Sequence, residues 1–297
     1  MTTTDFRSRR RLLALLAAVL AWLPASALSQ TPPQSPATQE EFKPQVGQAG
    51  KDVIWVPTPE YLVDRLLQMT QVTPNDFVVD LGSGDGRTVI AAAKKFHANS
   101  LGIEYNADMV VLSKKNAVQE GVSDKAKFVE GDIFATDFSR ATVVTLYLLP
   151  DLNLRLRPML LEMKPGTRVA SHQFSMGEWQ PDETSNFDGR SAYFWVVPAR
   201  VEGNWTLAYG GKKPGAEHAI SLTQKFQMVE GAVVLPGAKR LGLRDLRLRG
   251  ERFDFSFVDE RGVLREFSGR VSGDAMAGSM KVAGKAGPKW RARRSSS

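Results

Sequence analysis

Three carboxylates sit at matched places in the first half of the chain: Asp80, Glu104 and Asp132, spaced by 24 and 28 residues. Each lies at or just after the end of a short segment that reads as a strand. Asp80 is followed by Gly82-Ser83-Gly84-Asp85-Gly86. Glycines at every second position permit positive φ and let backbone approach a ligand closely. A helix expected from Arg87 adds unpaired N–H donors at its start. A pyrophosphate would call for G-x-G-x-x-G, whose third glycine lets the helix pack beside the phosphates. The spacing here is G-x-G-x-G, and carboxylates before and within the loop would repel a phosphate. The pattern points to a nucleoside that carries positive charge.

S-adenosylmethionine, with a sulfonium and an α-ammonium, has that chemistry. Asp80, Gly82, Ser83, Gly84 and Gly86 would then shape the cofactor loop. Glu104 would meet the two ribose hydroxyls, Asp132 would accept from the adenine amino group, and Ile133 would pack on the ring. Arg87 either orders the loop by pairing with Asp85 or Glu104, or lies on the surface.

The elements that must position these residues alternate between strand and helix over 53–198. Strands are expected at 77–81, 101–105, 127–130, 142–148 and 167–174. Helices are expected at 59–69, capped by Thr58, at 87–96, at 107–119 with Val111 and Val118 on the buried side, and at 151–163, capped by Asp151. A late antiparallel strand is expected at 191–197. Such alternation predicts an α/β fold, a Rossmann-like doubly wound sheet covered on both faces. Ligands of such sheets bind at the carboxyl ends of the strands, where strand order reverses. All three carboxylates fall there.

With those motifs in view, residues 56–180 resemble a class I, seven-β-strand methyltransferase: "DLGSGDG" at 80–86, "GIEYN" at 102–106 and "EGDIF" at 130–134 match its first three motifs. "VPTPEYLVDRLLQM", "DLGSGDGRTVIAAA" and "GIEYN" are similar to bacterial relatives of the lysine methyltransferases that modify adenine nucleotide translocase and the ATP synthase c subunit. The resemblance implies S-adenosyl-L-methionine as cofactor, Tyr105 beside it, and methyl transfer to a nucleophile. A lysine of a membrane-associated protein is the acceptor it suggests. Acceptor-side residues should come from the end of strand four, Tyr147-Leu148-Leu149-Pro150, and from strand five with its loop. Tyr147, His172, Glu178 and Trp179 are the candidates for the acceptor pocket and catalysis, each with a packing or surface role as its alternative. "YLLP" departs from the N-P-P-Y type used on amide or base nitrogens, so no nucleic-acid partner is expected. A lysine acceptor starts near pKa 10.4 and would need desolvation, or a carboxylate and aromatic lining, to lose its proton.

The rest of the chain bounds this reading. The 297 residues, 42% of them apolar, suit one domain of about 150 residues and a smaller one. No cysteine is present, which excludes disulfides, thiolate metal sites and a cysteine nucleophile. His97 and His218 have no ligand-spaced partners, and no G-x-S-x-G elbow exists; no metal is expected. Residues 1–29 follow the grammar of an export signal: a basic stretch ending at Arg11, an apolar run over 12–23, then Pro24 and small residues. Ordinary secretion and the twin-arginine route both remain open. The expected location is periplasmic, free or anchored by an uncleaved signal, and cytoplasmic if the signal is unused. Residues 30–50 read as a disordered linker, 51–199 as the cofactor domain, and 200–297 as a small all-β domain, a barrel or curled antiparallel sheet, with a basic tail. Its strands are expected at 203–208, 219–228, 232–235, 241–248, 252–257, 264–268, 275–282 and 290–293. From Ala238 onward 15 basic residues face 7 acidic ones; this is a solvated face, or one that touches phosphates or anionic lipid. The sequence also allows a second function, an exported binding protein with a degenerate methyltransferase fold whose β domain carries recognition. Oligomeric state is not legible.

Overall fold

Phe77–Leu81 is β1, apolar but for Asp80 and buried from Val78 onward, as a strand must be when helices cover both its faces. In the computed structural model, which describes residues 42–210, 217–235 and 239–295, β1 lies third from one edge of a seven-stranded sheet, between two parallel neighbours. The other strands are β2 (Asn99–Glu104), β3 (Ala126–Glu130), β4 (Val143–Leu146), β5 (Arg168–His172), β6 (Glu183–Phe187) and β7 (Arg190–Val196). Their order is β3-β2-β1-β4-β5-β7-β6, parallel through β5 and antiparallel at β7 and β6. Strand order therefore reverses between β1 and β4, beside the glycine loop that follows β1. The expected signal segment and linker residues 30–41 lie outside the described residues.

Helix α1 (Glu60–Met69) precedes β1, and α2 (Arg87–Phe96), α3 (Ala107–Gln119) and α4 (Pro150–Leu161) connect β1 to β2, β2 to β3 and β4 to β5. α1 buries Leu62, Leu66 and Met69 against Ala170, Ala192 and Phe194 of β5 and β7. α4 buries Leu152, Leu156 and Leu160 with Val144, Leu146 and Val169. α2 and α3 share Val89, Ile90, Ala93, Val110, Ala117 and Phe128.

Three local expectations fail for physical reasons. Thr58 does not cap α1; Pro59 holds the cap position, and the Thr58 hydroxyl is instead hydrogen-bonded to His172. Asp151 does not cap α4; Leu149 precedes a helix begun by Pro150, whose fixed φ suits the first position. Val111 and Val118 are 67% and 66% exposed, because α3 turns its small residues Ser113 and Ala117 inward with Met109 and Val110. β6 was not foreseen: its sequence ETSNF is polar and mostly exposed, and an edge strand needs no apolar alternation.

Beyond residue 198 the chain forms nine antiparallel strands among the described residues. These are β8 (Gly203–Tyr209), β9 (Glu217–Lys225), β10 (Met228–Val234), β11 (Arg240–Gly242), β12 (Arg244–Arg249), β13 (Arg252–Val258), β14 (Leu264–Ser272), β15 (Ala275–Val282) and β16 (Lys285–Arg294). Their order is β11-β10-β9-β8-β16-β15-β14-β13-β12, and the two ends approach one another through β10 with β12 and β11 with β13. The result is a nearly closed, barrel-like sheet whose interior alternates Trp205, Leu207, Phe253, Phe255, Phe267, Met276 and Trp290. Gly269 is required where the Trp290 ring crosses its strand; a Cβ there would lie 2.5 Å from that ring. The strand expected at 219–228 divides at a turn through Phe226, and the one at 241–248 divides at Leu243.

Residues 42–50, expected within the disordered linker, instead form a turn. Gly47 N donates to Trp55 O, Trp55 N donates to Gln48 O, and Ala49 bridges Ile54. Among the described residues no helix is long and apolar enough to cross a membrane.

Candidate functional site

A cavity of about 330 Å³ opens at the carboxyl ends of β1, β2, β3 and β4. Its floor holds Asp80, Gly82, Ser83, Gly84, Glu104, Tyr105, Asp132 and Ile133, and residues 48–58 run over it as a strap. Gly82 and Gly84 have φ of 77° and 53°, a conformation glycine adopts without strain. Space is also limiting at Gly84, where a Cβ would sit 2.7 Å from Trp55 Nε1 of the strap. Gly86 does not line the cavity. It forms the N-cap of α2, where a Cβ would press on Phe128 and Ser113 at 2.7 Å.

Glu104 organises the loop. Its carboxylate accepts from Gly84 N at 2.8 Å through Oε2 and from Asn106 N at 2.9 Å through Oε1. The Asn106 side chain caps α3 in turn, accepting from Asp108 N and Met109 N. Arg87 chelates Asp85 through Nε and Nη2 and donates from Nη1 to Thr58 O, which ties the loop to the strap. Of the alternatives for Arg87, pairing with Asp85 is the one observed.

Asp80 is buried and accepts from Thr145 Oγ1 at 2.6 Å. Burial pushes its carboxyl up to about 7; hydrogen bonds from Thr145 and Thr88 oppose the shift, and the nearby Glu104 and Asp85 charges add to it. A cationic group would relieve that penalty. At the far end Asp132 accepts from Lys51 Nζ at 2.7 Å, and Lys51 also lies 4.6 Å from the centre of the Tyr105 ring. The Lys51 hydrogen bond holds Asp132 below the usual carboxylate range.

The cavity fits the nucleoside expected from sequence. It carries carboxylates on three successive strand ends, a glycine cradle that a Cβ at Gly84 would fill, and the apolar Ile133 and Met109 beside them. Glu104 keeps acceptor capacity after its two backbone bonds, since an ionised carboxylate offers about four lone-pair sites.

The acceptor-side candidates separate. Tyr147 lines the cavity with Leu148, Leu149, Leu152 and Phe174. His172 is buried behind Tyr147, their ring centres 3.7 Å apart, and its Nδ1 is 3.0 Å from Thr58 Oγ1. Burial pushes His172 down to about 4, with the Arg190 charge adding to the shift, so the ring is neutral. Glu178 and Trp179 are corrections: neither reaches the cavity. Glu178 is 70% exposed and pairs with Lys225, whereas Trp179 is fully buried against Trp195 and Phe226. The turn at Gly177 (φ 64°), closed by the Met176–Trp179 bridge, sends Trp179 into the core. Sequence reasoning missed Lys51 and Trp55. The apolar run Val53-Ile54-Trp55-Val56 was the available signal that the segment packs down.

Comparison with known proteins adds to this geometry. The model of the ANTKMT methyltransferase domain matches residues 80–183. A protein-lysine N-methyltransferase of Saccharolobus islandicus is 41% identical over 151 residues, 49% of this chain and 94% of that protein. A lysine N-methyltransferase of the ATP synthase c subunit, from Rattus norvegicus, is 35% identical over 132 residues; the match takes in 44% of this chain and 60% of that relative's length. Among solved structures, an RNA methyltransferase from Salinibacter ruber, in complex with S-adenosyl-L-homocysteine, is 50% identical. It aligns with 49% of this chain and 96% of its own, at a TM-score of 0.49.

Proposed function

The chain belongs to the ANTKMT methyltransferase family of S-adenosylmethionine-dependent enzymes, and on that premise we propose that its acceptor is a protein lysine. The observation that carries this reading is the wall facing the glycine loop. Tyr147 and Phe174 stack with ring centres 6.2 Å apart, and Leu148, Leu149 and Leu152 continue the surface. Aromatic faces attract an ammonium group, and an aliphatic lysine stem is at home on leucines. The same apolar wall disfavours the charged amine and so lowers its pKa toward the neutral nucleophile.

S-adenosylmethionine, when bound, supplies an electrophilic methyl group on sulfonium. The chain's part is to bind, orient and desolvate. In this proposal Glu104 accepts from ribose hydroxyls and Asp132 from the adenine amino group in place of Lys51. Asp80 faces the cationic end. His172 acts as a positioning residue: its ring holds Tyr147 from behind and Thr58 holds the ring. A neutral imidazole with a value near 4 is a poor proton acceptor at pH 7.

Two tests follow. Radiolabelled S-adenosylmethionine incubated with the chain and lysine-rich proteins should yield methyl-lysine on acid hydrolysis, and acceptors whose lysines are already dimethylated should take up far less label. Label found instead in RNA would overturn the lysine assignment. Cofactor affinity should also depend on pH through Asp80. The group is half protonated near pH 7 in the free protein, and a cationic ligand needs it ionised. Binding of S-adenosylmethionine should therefore weaken below pH 7, by at most about tenfold per unit, and Asp80→Asn should flatten the profile. The folded value lies above the ordinary 3.8. In the free protein Asp80 thus contributes stability below about pH 4 that is lost as pH rises through 7.

A further inference from the structure

The positive charge of this protein is concentrated in one stretch. Residues 238–297 carry 15 Lys and Arg against 7 Asp and Glu, a net of +8, while the whole chain sums to +7. The remaining residues are therefore close to neutral, and the cofactor site accounts for none of the excess.

Strand pleating sorts the charge onto one face. In β16 the buried Trp290 and Ala292 point into the barrel, so Lys289, Arg291 and Arg293 between them point outward. Their cross-strand neighbours are small: Ser279, Ala277 and Ala275 on β15, and Ala208 and Thr206 on β8 beside Arg291 and Arg293. Nothing tall on those neighbours screens these three cations, which span about 14 Å along one strand. Arg270 extends the face on β14, where it pairs with Glu251, and Lys281 sits opposite Glu266. Arg294 is paired with Asp274, and Glu217 lies one strand beyond Ala208. Lys289, Arg291 and Arg293 form no ion pair among the described residues.

We propose that the outer face of β14, β15 and β16 rests on an anionic phospholipid bilayer, with Lys289, Arg291 and Arg293 as its principal contacts. The face is the exterior of a curled sheet and is convex, so it touches a plane readily and cannot wrap a duplex. Among the described residues it exposes no aromatic ring on which bases could stack, and it offers no helix to a major groove. The one large exposed apolar side chain described on it is Leu264, at the start of β14. Contact is therefore electrostatic and peripheral, without insertion. Anionic headgroups attract each nearby basic residue independently, and salt screens that attraction within a Debye length.

The test uses the full chain, so that the arginines near the N-terminus are common to every sample. Sedimentation is measured with vesicles of neutral phosphatidylcholine and with vesicles containing about 30% phosphatidylglycerol, at low and at physiological salt. The parent should bind only the anionic vesicles and release with salt. The triple variant Lys289→Gln, Arg291→Gln, Arg293→Gln should bind about 100-fold less, roughly fivefold per cation. Its circular dichroism and its affinity for S-adenosylhomocysteine should be unchanged. The single variant Arg291→Glu, at an exposed position, should weaken binding in the same direction and guards against misfolding of the triple. Equal binding by parent and variants would overturn the proposal. So would a parent that ignores anionic vesicles and instead binds a duplex of about 30 base pairs at the same ionic strength.

Discussion

Replacing Glu104 by alanine is expected to lower affinity for S-adenosylhomocysteine by about 10²–10⁴-fold, and adding Asp80→Ala should abolish detectable binding. The expectation rests on two charge-assisted hydrogen bonds, to Gly84 N and Asn106 N. Each such bond is worth about 1.5–3 kcal/mol. Without them the loop loses its grip on β2, and α3 loses the residue that positions its cap. The second sheet should be untouched, because its core of Trp205, Phe253, Phe267 and Trp290 shares no residue with the cavity. Titration calorimetry would report the loss, and near-ultraviolet circular dichroism would report the intact barrel. Binding within about threefold of the parent, under 1 kcal/mol, would show that Glu104 does not organise the cofactor site.

The second large effect is structural. Trp179→Ala should destabilise the protein by about 3–5 kcal/mol, the usual cost of emptying a buried tryptophan site. That corresponds to a fall in Tm of roughly 6–20 °C for a chain of this size. Trp179 packs against Phe226, in the turn between β9 and β10, and against Trp195 of the first sheet, and its carbonyl accepts from Trp195 Nε1 at 2.8 Å. It therefore joins the two sheets. Glu178→Ala, one residue away, should stay within about 0.5 kcal/mol, as exposed substitutions do. Thermal melts of both variants decide the matter: similar melting temperatures would mean that Trp179 is not part of the shared core.

That pair of neighbours shows where sequence reasoning stopped. Alternating strands and helices placed Asp80, Glu104 and Asp132 at three strand ends, because strand pleat and helix pitch are local and periodic. The turn at Gly177 is not periodic, and proximity to strand five suggested the cavity for Glu178 and Trp179 when one faces solvent and the other the core. The strap over the cavity was legible only as the apolar run Val53-Ile54-Trp55-Val56, for a related reason. Its upstream residues are rich in proline and glutamine and read as linker, while Lys51 and Trp55 acquire meaning only against Asp132 and Gly84, which are distant in sequence. Val111 and Val118 misled by their heptad spacing. Apolar side chains mark a buried face only when nothing smaller packs better, and here Ser113 and Ala117 let α2 approach. In the second sheet the alternation was legible; the turn through Phe226 moved one strand boundary, and the break at Leu243 made two strands of one.

The most direct test of the central claim is calorimetric titration of S-adenosylmethionine and S-adenosylhomocysteine into the full chain at about pH 8.5, more than a unit above the value near 7 at which Asp80 titrates. The arrangement of Asp80, Glu104 and the glycine loop predicts saturable one-to-one binding of both in the micromolar range. No heat of binding for either ligand at millimolar concentration would contradict the assignment of this cavity as a cofactor site.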